Sequence, residues 1–181
     1  MNIRLAAVAL LLVAGCNGAQ REAAERQAAE TKAASLLKRY QSAQGVHRME
    51  HDGAYGSMAE LIAARHVEGE LAQAYDKSAS PTPVDGYLFA DIEAGSDGGA
   101  LQKSRQAGLC AYPKSGQGKV ILMLLDTADP EEWAFYSADA KSTGGAVRRW
   151  PSVYDLASKF MRAKQYTPQD AVKEAEKKAQ P

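Results

Sequence analysis

His47-Arg48-Met49-Glu50-His51 has the spacing H-x-x-E-H. On a helix, positions i and i+4 share a face, so two imidazoles there can hold one zinc ion while the carboxylate between them activates a metal-bound water. Metal-assisted hydrolysis is the chemistry this pattern could do. A catalytic zinc needs a third protein ligand. The only other histidine is His66, and Glu131 and Glu132 lie beside Pro130 in an expected turn. The plainer reading places His47, Glu50 and His51 at the carboxyl end of a helix, where an imidazole interacts favourably with the helix dipole. On that reading no catalytic residue, metal or cofactor is expected. His47, Glu50 and His51 stay as the metal candidates, and a small zinc-binding protein or hydrolase stays as the alternative function.

Other chemical signals are weaker. Ser115-Gly116-Gln117-Gly118-Lys119 is glycine-rich but lacks the G-x-x-x-x-G-K-[ST] order and precedes a strand, so it reads as a loop and not as a phosphate cradle. Cys110 sits in an apolar run, Gly108 to Tyr112, with no histidine or cation beside it to lower its pKa, and reads as a buried, inert thiol. Trp133, Phe135, Trp150 and Tyr154 are the candidate partner surface, although aromatics that alternate along strands usually face a core. The 22 basic and 22 acidic residues cancel. No charge field recruits nucleic acid.

The elements that must position these groups follow from periodicity. Gln20 to Gln44 is Ala-rich and charged, without Pro or Gly, and predicts a long helix. Ala29, Ala33, Leu36, Leu37 and Tyr40 share one face, so packing is expected from about Ala33 onward, with a solvated stalk before it. Gly45 weakens this helix without ending it; Asp52-Gly53 is the stop. Ser57-Met58-Ala59-Glu60 is a capping box that opens a second helix, and a third short turn is expected near Gly69 to Tyr75. Strands are predicted at Gly86 to Glu93, Ala107 to Tyr112 and Lys119 to Asp126, the last one central. Trp133 to Ser137 and Ala146 to Trp150 flank Ser142-Thr143-Gly144-Gly145 as a closing hairpin, with Arg148-Arg149 straddling the two faces of its strand. Ser152 caps a helix from Val153 to about Gln165, and Thr167-Pro168 opens another that ends in a charged tail. Helices first and then an antiparallel sheet of about four to five strands make an α+β fold.

The amino terminus carries Arg4, an apolar run from Leu5 to Val13, and then Ala14-Gly15-Cys16. That is a secretory signal peptide, too short to span a bilayer as a helix. Leu12-Val13-Ala14-Gly15-Cys16 resembles a bacterial lipobox, which implies removal of residues 1–15 and acylation of Cys16. Several acyl chains on one residue anchor a protein stably where a single chain does not. Asn17, in place of Asp, implies sorting to the outer membrane of a Gram-negative envelope. Membrane attachment through the lipid anchor is therefore one expected contact.

Met49-Glu50-His51-Asp52-Gly53-Ala54-Tyr55-Gly56-Ser57-Met58-Ala59-Glu60-Leu61-Ile62 resembles the transition from first to second helix in type IV pilins and type II secretion pseudopilins. Gly86-Tyr87-Leu88-Phe89 resembles the strand that follows. Phe135-Tyr136-Ser137 with Gly145-Ala146-Val147-Arg148 resembles the closing hairpin. A lipoprotein leader and a polar, Ala-rich helix stand where pilins carry their apolar filament-forming helix. The resemblance thus implies the fold and not filament assembly, and it transfers no functional site. The expected organisation is a leader (1–15), a lipid-anchored helical stalk (16–32), a pilin-like α+β domain (33–151) and a C-terminal helical extension (152–181). The expected role is non-catalytic: holding or recognising another envelope protein at the periplasmic face of the outer membrane.

Overall fold

The computed structural model describes residues 3–95, 97–126 and 133–163; for residues 3–17, 153 and 163 only the backbone is described. The first helix, α1, runs Ile3–Glu50 without a break. Gly45 is accommodated inside it, on an exposed position with open space around it. Residues 18–26 are exposed and carry the helix-surface ion pairs Arg21–Glu25 and Glu22–Arg26. Burial then begins on one stripe. Ala33, Leu36, Leu37, Tyr40 and Ala43 all pack into the core, and the same stripe continues through Gln44 to His47. Each fully buried leucine here contributes about 1.5–3 kcal/mol of transfer free energy.

α1 ends where the sequence predicts. Asp52 (φ 51°) and Gly53 (φ 83°) adopt left-handed backbone, and the Gly53 amide donates to the Arg48 carbonyl at 2.9 Å. This closes the helix with the doubled-back hydrogen bond of a Schellman stop. The second helix, α2 (Met58–Ala63), begins with the capping box in full: Ser57 Oγ accepts from the Glu60 amide, and the Glu60 carboxylate accepts from the Ser57 amide. A single turn, α3 (Glu70–Gln73), follows and buries Leu71.

Five strands form one sheet in sequence order, every neighbouring pair antiparallel: β1 (Tyr87–Asp91), β2 (Gln106–Pro113), β3 (Lys119–Asp126), β4 (Ala134–Asp139) and β5 (Met161–Ala163). The period-2 alternation of side chains splits the interior into two layers. Tyr87, Phe89, Leu109, Ala111, Ile121, Met123 and Phe135 face α1. Ala90, Ile92, Cys110, Val120, Leu122 and Leu124 face the other way. β3 is central and apolar on both faces, as a strand buried on both sides must be. The architecture is α+β, with the long helix on one face of an antiparallel sheet.

The closing hairpin does not form. β4 runs directly into a short helix, α4 (Ala140–Thr143), capped by the Asp139 side chain, and Gly144 (φ 70°) and Gly145 (φ 105°) then turn the chain away from β4. Residues 146–150 cross to the far side of the sheet and lie beside the end of β1. There the Glu93 amide donates to the Arg148 carbonyl and the Trp150 amide donates to the Ala94 carbonyl, both at 2.7 Å. The physical reason is the second apolar face, which Ala146, Val147, Trp150, Leu156 and Phe160 cover. A hairpin at 133–150 would have left that face to water. The predicted helix from Val153 to Gln165 is correspondingly shortened: α5 spans Val153–Ser158, capped by Ser152, and residues 161–163 instead supply β5 along the edge of β4. The Asp129-Pro130 turn and the Thr167-Pro168 helix lie outside the described residues.

Gly108 is where the second layer is tightest. A Cβ there would meet Ile92 Cγ1 and Leu124 Cδ2, each at 2.9 Å. Overpacking of this kind costs about 1–3 kcal/mol. Gly108→Ala is therefore expected to lower the unfolding free energy by that amount, read as a lower urea midpoint with the slope of the transition unchanged.

Candidate functional site

All three histidines of the chain meet at one place, the carboxyl end of α1. His47 lies on the buried stripe of the helix and is only 6% exposed. His51, one turn on, is exposed, and its ring stacks on His47 with centroids 4.0 Å apart and planes 25° apart. His66 arrives from the far end of α2. Arg65 takes the left-handed conformation (φ 59°), its amide donates to the Ile62 carbonyl, and the His66 amide donates to the Leu61 carbonyl at 2.9 Å. This Schellman turn reverses the chain and sets the His66 ring edge-on to His47, centroids 5.8 Å apart. Glu50 Oε2 lies 2.9 Å from His66 Nε2. The contact is close but not in line for a hydrogen bond.

Two features hold this corner together. Gln44, fully buried, grips the backbone of Gly56 from both ends: its Nε2 donates to the Gly56 carbonyl at 2.5 Å, and its Oε1 accepts from the Gly56 amide at 2.9 Å. Gly56 in turn lies flush on the His47 ring, so that a Cβ there would sit 2.8 Å from His47 Nε2. Burial lowers the pKa of His47, and the neighbouring His51 lowers it further. His47 Nδ1 is buried and has no hydrogen-bond partner among the described residues. Buried polar atoms nearly always have one, so this atom calls for an explanation.

Beside the histidines, between the α1–α2 connection and the ends of β1 and β2, lies a cleft of about 390 Å³ walled by Tyr40, Tyr55, Tyr75, Asp91, Lys77 and Lys103. Asp91 forms its floor. Its carboxylate accepts from the Met58 amide (2.9 Å) and from the Tyr75 hydroxyl (2.8 Å), tying β1 to the start of α2. Burial pushes the Asp91 carboxyl above the usual carboxylate range, partly offset by those two donors. At the rim, hydrogen bonding from Lys103 and the Ser57 amide holds Glu60 down to about 2.

The aromatic candidates do not form one surface. Phe135 is buried in the layer under α1, and Trp133 is half-buried beside it, edge-on to both Tyr40 and Tyr55. Trp150 packs on the opposite layer, and Tyr154 is exposed. They separate because 133–135 and 146–150, read as two strands of one hairpin, belong to opposite sides of the sheet. Cys110 is fully buried, accepts from the Val147 amide, and is pushed up to about 12 by burial, so it is an inert thiol as expected. Arg148 pairs with Asp76 behind it, while Arg149 is exposed. Residues 114–118 form the turn between β2 and β3. Glu131 and Glu132 lie outside the described residues, and Cys16 falls within α1 with only its backbone described.

His66 was within reach of sequence reasoning only as the last remaining histidine. A reversal that uses Arg, where Gly is usual, leaves no sequence mark. Asp91 and Gln44 were missed for a related reason. Each is a single polar residue in an apolar run, and its partner is a backbone group from another element.

Replacing Gln44 by Ala strands two buried backbone groups, at about 1–3 kcal/mol for each left unpaired; the loss is read from urea unfolding. Glu60, with its carboxyl depressed from 4.5 to about 2 in the folded chain, contributes stability that is complete above about pH 4.5 and lost as the pH falls toward 2. Glu60→Gln is accordingly expected to unfold more easily than the parent at pH 6, with the two stabilities converging near pH 2. Compared with known proteins, the chain matches no family model, no curated protein and no solved structure.

Proposed function

We propose that this chain is a lipid-anchored protein of the Gram-negative cell envelope, acylated on Cys16 and facing the periplasm from the outer membrane, with a non-catalytic role in holding or recognising another envelope protein. The observation that carries the reading is the placement of Leu12-Val13-Ala14-Gly15-Cys16 ahead of an exposed helical segment. Residues 18–26 of α1 are solvated on all sides, and packing begins only near Ala29. Such a segment is what a domain needs to stand clear of the lipid surface that holds its first residue. Among the described residues, no helix is long and apolar enough to cross a membrane.

The α+β architecture accords with the resemblance to pilin-like proteins, although residues 145–148 are not the return strand that the resemblance implied. The polar, Ala-rich stretch of α1 from Gln20 onward, in place of a filament-forming helix, favours an adaptor over a filament subunit. Its recognition surface is the cleft above Asp91, whose rim carries the ion pairs Lys77–Glu93 and Lys103–Glu60 beside Tyr55. A mixed-charge rim around an aromatic wall suits a polar peptide segment of a protein partner.

The alternative, a zinc hydrolase built on residues 47–51, gains support from the convergence of His66 on His47. It loses support from Glu50, the residue that would activate water, because its carboxylate lies against His66.

Metabolic labelling with palmitate, followed by fractionation of the envelope, tests the main reading. The parent chain is expected to carry label and to sediment with outer membrane, whereas Cys16→Ser should be unlabelled and leave the membrane fraction. A parent chain without label would overturn the assignment.

A further inference from the structure

The cluster at the end of α1 supports more than a helix terminus, and independently of any lipid anchor. We propose that His47, His51 and His66 together bind one divalent transition cation, with Glu50 as the carboxylate that positions His66.

The argument starts from the spacing of the rings. Two imidazoles bound to one tetrahedral ion, with metal–nitrogen distances of about 2.0–2.1 Å, have ring centroids about 5 Å apart. The centroid separations here, 4.0 Å for His47–His51 and 5.8 Å for His47–His66, fall on either side of that value. Among the described residues no group of three or more His, Cys, Asp or Glu side chains is already arranged to hold an ion. The obstacle is local. His51 lies nearly parallel on His47, so the two sets of nitrogen lone pairs run side by side instead of meeting. His51 is also the exposed member, at the helix end, so its ring can leave the stack while the buried His47 ring stays in place.

His47, by contrast, is fixed, wedged against Gly56. Its buried Nδ1 has no partner among the described residues, and a bound cation would supply one. His66 has a carboxylate close to its ring, that of Glu50. A ligating histidine commonly directs its other ring nitrogen to such a group, which fixes the tautomer and raises ligand basicity. Glu50 Oε2 already lies 2.9 Å from His66 Nε2, and a small turn of the ring on metal binding would bring the two into line and leave Nδ1 as the ligating nitrogen. Three imidazoles select zinc, nickel, copper or cobalt over magnesium and calcium, which take oxygen ligands. The fourth position falls to water. With the Glu50 carboxylate lying against His66 and away from the water position, the site is a structural or regulatory cation site that pins the α2–α3 connection to the end of α1.

The test is a calorimetric titration of the full chain with zinc chloride at neutral pH, with magnesium chloride as control and cobalt(II) absorption reporting the coordination geometry. One equivalent of zinc is expected, with no heat from magnesium and a tetrahedral cobalt spectrum. His51→Ala and His66→Ala should each weaken zinc binding at least about tenfold, and Glu50→Gln by about 10–100-fold. Because His51 is exposed, His51→Ala retains the fold, which far-ultraviolet circular dichroism checks. Zinc should also raise the melting temperature of the parent but not that of the double His51→Ala/His66→Ala variant. Absence of saturable zinc binding, or binding that both histidine variants retain in full, would overturn the proposal.

Discussion

The two-ended grip of Gln44 on the backbone of Gly56 is the constraint on which the histidine-bearing end of this molecule depends. A primary amide offers one acceptor and two donors, and here it satisfies both polar groups of a residue that has no regular partner of its own. The pairing is wholly buried, so neither side can exchange it for water, and the loss of one partner would leave the other stranded. Its effect is to clamp the α1–α2 connection across the last turns of α1. The capping box of α2, the floor of the cleft at Asp91 and the seat of His47 all take their positions from that clamp.

The sheet depends on a different balance. β3 is apolar on both faces, and each face must be covered. α1 covers one with a stripe of Ala, Leu and Tyr whose small members let the helix sit close. The other is covered by 140–160, an irregular segment that contains two short helices and a pair of left-handed glycines. That segment gives up strand pairing with β4 in order to bring Ala146, Val147 and Trp150 over Cys110, Leu122 and Leu124. Backbone hydrogen bonds lost from a hairpin are recovered against Glu93 and Ala94 at the end of β1. Burial thus sets the path of the chain, and β5 fills the edge that the rerouting leaves.

The histidines illustrate how a helix end acquires chemistry. His47 is buried because the apolar stripe of α1 passes through it, not because imidazole favours a core. Its ring is therefore desolvated, its pKa is lowered by that burial, and one nitrogen has no partner among the described residues. His51 follows by helical spacing and His66 by a Schellman reversal. Neither element alone gathers three imidazoles; the packing of α2 against α1 does.

Much of this was legible in the residues. The long helix and the point at which it becomes buried, its stop at Asp52-Gly53, the capping box at Ser57, the first three strands with β3 central, and the inert Cys110 all rest on local rules: apolar period, turn residues and cap chemistry. The fate of 133–163 did not. Trp133 to Ser137 and Ala146 to Trp150 have hairpin composition, and nothing local reveals that the second face of the sheet is still uncovered when the chain reaches Gly144. Nor does sequence show that Gln44 meets Gly56, that Asp91 meets Tyr75 and the Met58 amide, or that His66 meets His47. Such contacts join residues distant along the chain through a single polar atom or ring each, and a periodic pattern carries no trace of them. Local structure was therefore determined by the sequence pattern. Which surfaces needed covering, and which polar groups came together as a result, was decided only when the layers closed, because burial is a property of the whole assembly and not of any one segment.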